Sequence, residues 1–166
     1  HIDFKKQVWK IPKDETKAGR TQIVPLTEMA LDILEKLKSL TGKYEYVFQS
    51  PTVDNQPIEW LQKASDRIKE FEDKERKLNK VSDFRIHDLR RTMASYLAEL
   101  GTDRTVLGKV LNHKGLAGDD QVTAIYDRYD YLDEKRKALN LWSRKLTELI
   151  DIENTSKIYS NKLLSF

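Results

Sequence analysis

The chain has 166 residues, 39% of them hydrophobic and 34% charged, a balance typical of a soluble globular domain with its own core. The absence of cysteine excludes a disulfide framework, and three histidines are too few to favour a zinc site. The net charge of +3 is weak evidence for a nucleic-acid partner, and no apolar run approaches the roughly 18 residues that a membrane span needs.

The first predicted elements are strands. The chain begins in a strand-like pattern, without a methionine and without a signal peptide, so we expect that it was cut from a longer polypeptide. Two β-prone runs, 8–12 and 21–25, flank a polar stretch in which Ala18 and Gly19 supply a turn. This pattern predicts a β-hairpin with a polar tip.

Two helices are predicted next. Thr27 is expected to cap the first, which carries apolar residues on one face. Apolar residues at helical spacing from Leu61 to Phe71 predict the second. The charged stretch that follows it, 70–80, is expected to be a solvated helix end and loop.

The remaining signals predict four more helices, over 86–100, 103–111, 122–129 and 132–149. Gly101 is expected to end the first of these, and Asp103 to cap the second. The fold class is therefore mostly α with a small antiparallel β-hairpin or sheet (α+β). Residues 1–150 are expected to form one domain, and 151–166 a polar C-terminal tail, for which a short helix and a disordered end are both open.

The helix predicted over 86–100 carries two side chains suited to phosphate. His87 and Arg90 are three residues apart, so they share a face. A guanidinium offers two parallel donors to the non-bridging oxygens of a phosphate, and an imidazole beside it can donate to the same phosphate or accept a proton. Taken alone, however, a His-x-x-Arg pair is common, and a capped or surface histidine is its ordinary interpretation.

Three further residues have ordinary interpretations when each is taken alone. His113, near a helix end, is typical of a cap interaction with the last carbonyls. Tyr126 lies close to Tyr129 and Tyr131 in the sequence, and any of the three fits a half-buried core aromatic. Lys17, at the predicted hairpin tip, fits a solvated turn residue.

Together and in this order, these residues resemble the tyrosine recombinases, or phage-type integrases, and in particular those of prophages and genomic islands. The resemblance covers roughly residues 1–146. Its matching segments are the lysine-bearing hairpin (9–27), the His-x-x-Arg box (87–92), the box that ends in a second histidine (107–113) and the segment of the nucleophilic tyrosine (122–128).

The resemblance implies a role for each residue and a tyrosine recombinase catalytic domain as the fold. Tyr126 attacks a DNA phosphate, forms a 3′-phosphotyrosyl bond and releases a 5′-hydroxyl. Arg90 clamps the non-bridging oxygens, and His87 is the acid/base partner near the tyrosine oxygen. His113 donates to the phosphate, and Lys17 protonates the departing oxygen. The phosphotyrosine keeps the bond energy, so neither a cofactor nor a metal is expected.

The resemblance also implies partners and a place in the cell. Double-stranded DNA is the expected partner, held mainly by Lys and Arg contacts to phosphates. A tetramer on DNA, joined through the tail 151–166, and accessory DNA-bending proteins are expected, in the cytoplasm of a bacterial cell or phage-infected host, near the nucleoid and away from membranes. The family's second arginine lies upstream of the hairpin, so this fragment alone is expected to cleave DNA weakly or not at all.

Two other functions remain open. A type IB topoisomerase uses the same phosphotyrosine chemistry, and relaxation of DNA without strand exchange would identify it. A DNA-binding regulator that keeps the fold without the activity is the other alternative. An arginine in a helix just before the hairpin would favour the working recombinase over the regulator.

Overall fold

The computed structural model describes residues 1–58, 65–67, 85–113 and 129–163, with 152–163 described by their backbone alone. Most of the helix predicted over 61–71 therefore lies outside the described residues, although 65–67 are helical. The helix predicted over 122–129 also lies outside them, except for Tyr129, which is not helical.

Three antiparallel strands form the sheet, in the order β1 (Ile2–Asp3), β2 (Val8–Ile11) and β3 (Gln22–Pro25). Val8 pairs with Pro25 and Ile11 with Gln22, so the predicted hairpin is confirmed. The strand-like start of the chain is confirmed as well, because β1 pairs with β2. A short 3-10 helix over Lys13–Glu15, which the sequence pattern did not predict, lies between β2 and β3.

Four helices follow the sheet, and their bounds are α1 (Glu28–Thr41), α2 (Ile86–Glu99), α3 (Arg104–Val110) and α4 (Leu132–Leu163). Each was predicted from apolar spacing or cap residues. The Thr27 hydroxyl oxygen accepts from the Ala30 backbone N–H at 3.3 Å, which confirms the predicted cap of α1. The mostly helical α+β class is confirmed with them.

The turn between α2 and α3 has the caps expected from the sequence. Gly101 has a φ of +80°, a left-handed conformation that costs glycine little. Its N–H donates to the Ala98 carbonyl at 3.0 Å, and the Thr102 N–H donates to the Leu97 carbonyl at 2.9 Å, which together make a Schellman motif. The Asp103 carboxylate then accepts from two backbone N–H groups in the first turn of α3.

The chain divides into two compact units, of which one comprises His1–Leu31 and Ala94–Phe166. In this unit α4 packs against β3 and α3. The rings of Tyr96, near the end of α2, and Trp142, on α4, lie 5.8 Å apart. The buried apolar side chains described in this unit are Leu26, Leu97, Val106, Leu111 and Ala138.

The other unit spans Asp32–Met93 and contains most of α1 and the first half of α2. The Thr41 hydroxyl lies within hydrogen-bond distance of the Leu37 carbonyl (3.0 Å) and the Val47 carbonyl (2.9 Å). This contact ties the last turn of α1 to the loop that follows it. An isolated β-bridge between Gln49 and Pro57 closes the next loop.

Helix α4 is longer than the sequence pattern predicted, because it continues past residue 149 to Leu163. No glycine or proline occurs between residues 150 and 163 to stop it. The boundary expected at residue 150 is therefore not a break in secondary structure, and a separate role for 151–166 stays a prediction. Across the described residues, no helix has both the length and the hydropathy of a membrane span.

Candidate active site

Lys17 lies in the turn between β2 and β3, where its side chain is exposed. The turn is held from within by Thr16, whose hydroxyl oxygen accepts from the Arg20 N–H at 3.1 Å and lies 2.7 Å from the Arg20 carbonyl. Gly19 completes the turn with a φ of +67°, and its N–H donates to the Thr16 carbonyl at 3.0 Å. Hydrogen bonds therefore hold the backbone of the turn that carries Lys17, while its ammonium group reaches solvent.

Two hydrogen bonds join this hairpin to the end of α3. The Arg20 Nε–H donates to the Asn112 side-chain oxygen at 3.1 Å. The Gln22 side-chain amide donates to the Val110 carbonyl at 3.2 Å. The turn that carries Lys17 and the segment that carries His113 are thus linked within one unit.

His113 is the last residue of a second Schellman motif. Asn112 adopts a left-handed conformation with a φ of +49°, and its N–H donates to the Lys109 carbonyl at 3.3 Å. The His113 N–H donates to the Gly108 carbonyl at 3.0 Å, so the backbone of the histidine is itself part of the cap. Its side chain is exposed. The cap interaction considered from the sequence is therefore made by the backbone of His113.

His87 and Arg90 lie in the first turns of α2, in the unit Asp32–Met93, and both side chains are exposed. Their helix begins with a reach-back contact from Asp88. The Asp88 carboxylate accepts from the Arg85 backbone N–H at 2.9 Å, which satisfies an N–H that the helix leaves without an internal partner. Asp88 therefore fixes the start of the helix on which His87 and Arg90 share a face.

The charge state of Asp88 follows from that contact. The Arg85 N–H, reinforced by the nearby Arg91 guanidinium, holds the pKa of the Asp88 carboxyl below its usual value. The Arg91 ion pair to Asp88, at 3.4 Å, is largely exposed, so it adds little stability. The helix start is thus held by a carboxylate that stays ionised near neutral pH.

Tyr126 lies outside the described residues, which resume at Tyr129. The Tyr129 side chain is 56% exposed rather than packed in the core. Its hydroxyl donates to the Glu134 carboxylate, and that hydrogen bond, with the negative charge of Glu134, raises the pKa of Tyr129.

Sequence patterns missed four residues that support the separate elements on which the candidate residues lie. Asp88 and Asn112 have local signals, because an acid at the third helical position and an asparagine just past a helix end are both recognised cap residues. Arg20 and Lys135 have none, since their partners Asn112 and Ile23 lie far away in the sequence.

Comparison with known proteins identifies the family of the chain. A profile of the phage integrase family matches residues 1–133, which is most of the chain. The chain belongs to the phage integrase family. An integrase of a prophage, Prophage integrase IntA of Escherichia coli (strain K12), is 32% identical over 142 residues, 86% of this chain and 32% of that protein.

The 166-residue chain thus spans about a third of the length of this relative. No solved structure gave a significant match. The family match covers the hairpin of Lys17, the start of α2 and the end of α3.

Proposed function

We propose that the protein is a site-specific recombinase that cuts and rejoins double-stranded DNA through a 3′-phosphotyrosyl intermediate. The observation that carries the proposal is the hydrogen bond between Arg20 and Asn112, at 3.1 Å. It links the lysine-bearing turn to the segment of the second histidine, and both lie inside the family match. If Lys17 and His113 act on the same phosphate, the elements that carry them must be held together.

In the proposed reaction the Tyr126 hydroxyl oxygen attacks the phosphorus and the P–O5′ bond breaks. His87 accepts the tyrosine proton, and Lys17 gives a proton to the departing 5′-oxygen. Arg90 and His113 donate hydrogen bonds to the non-bridging oxygens, on which negative charge grows in the transition state. Attack by a 5′-hydroxyl from another strand reverses these steps and releases the tyrosine.

The exposure of the four described residues supports this assignment. Lys17, His87, Arg90 and His113 are all exposed, so a duplex can reach them without entering a cavity. Each also lies at a position where the backbone is fixed, by the Thr16 turn, by the start of α2 or by the cap of α3. A fixed backbone lessens the reorganisation that such a donor needs during the reaction.

Covalent trapping tests the proposal. The full-length protein that contains this chain is incubated with a duplex of the mobile element's own junction sequence, nicked so that the cleaved end diffuses away. We expect a covalent protein–DNA adduct from the wild type, Tyr129→Phe and Tyr131→Phe, and none from Tyr126→Phe.

The other outcomes identify the alternatives. An adduct that survives Tyr126→Phe would contradict the choice of nucleophile. Binding of the duplex without any adduct would favour the regulator. Relaxation of supercoiled DNA without exchange of strands between two sites would favour the topoisomerase.

The assembly and setting belong to the same proposal. We propose a tetramer on DNA in which residues 151–166 contact a neighbouring protomer, with accessory DNA-bending proteins, in the bacterial cytoplasm. The support is the family membership and the extension of α4 to Leu163.

A further inference from the structure

Tyr131, five residues after Tyr126, has an unusual backbone conformation. Tyr131 has a φ of +53°, in the left-handed region that non-glycine residues rarely adopt. Such a residue persists only where its surroundings hold it, and such residues occur most often at functional sites.

Tyr131 is held from two sides. The Lys109 ammonium lies 5.2 Å from the centre of the Tyr131 ring, and the Tyr129 ring meets it edge-on at 4.9 Å. The Tyr131 carbonyl accepts from the Lys135 backbone N–H at 2.9 Å, which places it in the first turn of α4. Because Lys109 belongs to α3, these contacts join the start of α4 to the helix that leads to His113.

Lys135 makes a second connection, to the sheet. Its side chain is only 6% exposed, and its ammonium donates to the Ile23 carbonyl at 2.7 Å. Burial lowers the pKa of Lys135, an effect to which nearby Lys109 adds and which Asp130 opposes. Ile23 lies on β3, the strand that returns from the turn of Lys17, so Lys135 joins α4 to the element that carries that lysine.

The two anchors thus hold Tyr131 and Lys135 against the hairpin that carries Lys17 and the helix that leads to His113, two of the elements with proposed catalytic groups. Five residues of chain span at most about 18 Å, so an anchor at Tyr131 limits the range that Tyr126 can reach. The left-handed backbone at Tyr131 also sets the direction in which the chain enters α4.

We propose that Tyr131 and Lys135 are positioning residues for Tyr126, holding the nucleophile segment in register with Lys17 and His113. This inference rests on the proposed function. Neither residue touches the phosphate in this scheme. Their loss should therefore slow the attack by Tyr126 while leaving DNA binding and phosphate activation in place.

The test measures adduct formation by the full-length protein on the nicked junction duplex, at saturating protein, alongside DNA affinity. Tyr131→Leu and Lys135→Met should each slow adduct formation on the order of 10²-fold, as expected for a small misplacement of a reacting group, with affinity nearly unchanged. Tyr131→Phe and Lys135→Arg should keep most of the rate. Lys137→Met, the same change at an exposed position of α4, is the matched control and should be neutral.

An external nucleophile separates positioning from a general loss of structure. In a Tyr126→Phe background, hydroperoxide ion can form the new bond to phosphorus while the P–O5′ bond breaks as before, cutting the strand without attached protein. Adding Tyr131→Leu or Lys135→Met to that background should leave this cleavage unchanged, because only the protein nucleophile is displaced.

Two results would overturn the inference while the proposed function stands. One is wild-type adduct formation by Tyr131→Leu and Lys135→Met; the other is an equal loss of hydroperoxide cleavage in the double variants. Failure of the wild type to form an adduct, or formation of one by Tyr126→Phe, would instead overturn the proposed function and the inference with it.

Discussion

Lys17 combines an exposed ammonium group with a backbone that hydrogen bonds hold in place. A proton donor to a departing oxygen needs both properties. Its nitrogen must approach the DNA, and the backbone that carries the side chain must stay fixed. The hydrogen bonds of Thr16 supply the second property. His113 is supported in a comparable way, because its own N–H is part of the cap of α3.

The role of Lys17 predicts a specific chemical rescue. Lys17→Met should slow strand cleavage by about 10²–10⁴-fold, the usual contribution of a positioned acid. A duplex with sulfur in place of the bridging 5′-oxygen should restore most of the rate, because a thiolate leaves without being protonated. Lys13→Met, at an exposed position of the same hairpin, should leave the cleavage rate of both substrates unchanged. A Lys17→Met defect of equal size on both substrates would exclude the role of proton donor.

Among the elements, α2 depends most clearly on a single side chain. Asp88 caps the turn on which His87 lies, and its neighbour in the ion pair, Arg91, is mostly exposed. The helix therefore relies on the reach-back contact to the Arg85 N–H more than on the salt bridge.

The pKa of Asp88 predicts how this cap depends on pH. Because the folded-state pKa lies below the usual 3.8, Asp88 stabilises the fold above that value, and the contribution is lost as pH falls through the folded-state pKa. Asp88→Asn should lower the melting temperature by a few degrees at neutral pH, and the difference should disappear in acid. Thermal unfolding of both proteins between pH 2 and about 7 measures this. Glu99→Gln, at the opposite end of α2, should not lower the melting temperature, and a pH-independent loss in Asp88→Asn would contradict the cap.

Most elements could be predicted from the sequence because their signals are local. The hairpin, the cap at Thr27 and the stop at Gly101 each depend on residues within a few positions of one another. The contacts that join the elements could not be predicted in this way. The partners in the Arg20 to Asn112 bond are 92 residues apart, and those in the Lys135 to Ile23 bond 112 apart. The end of α4 was placed too early because polar composition was taken as a tail, although no helix-breaking residue follows.

The same distinction applies to the candidate site. Lys17, His87, Arg90 and His113 were chosen from motifs, and the structure describes how the backbone supports each of them. Tyr126 stays a prediction from the sequence. The residues that hold its segment, above all Tyr131, carry no motif, because a left-handed conformation at a tyrosine has no sequence signal.

At the scale of the whole molecule, the nearly balanced charge predicts the affinity of the 166-residue chain for DNA. It has 30 Lys and Arg against 27 Asp and Glu, so affinity must come from the placement of cations and should be modest. We expect the 166-residue chain to bind duplex weakly, with a logarithm of affinity that falls linearly with the logarithm of salt concentration.

Titration of labelled duplex at several salt concentrations measures this slope. An affinity that is insensitive to salt would contradict the expectation.

Asn112 restricts its own replacement more tightly than any other residue in the described part of the proposed site. The backbone there favours glycine or asparagine, whereas the bond from Arg20 needs a short side chain with an acceptor oxygen. Glycine meets the first demand and aspartate mainly the second, at the cost of a new charge beside the phosphate site. In a library of all twenty amino acids at this position, selection for recombination should therefore recover asparagine almost alone.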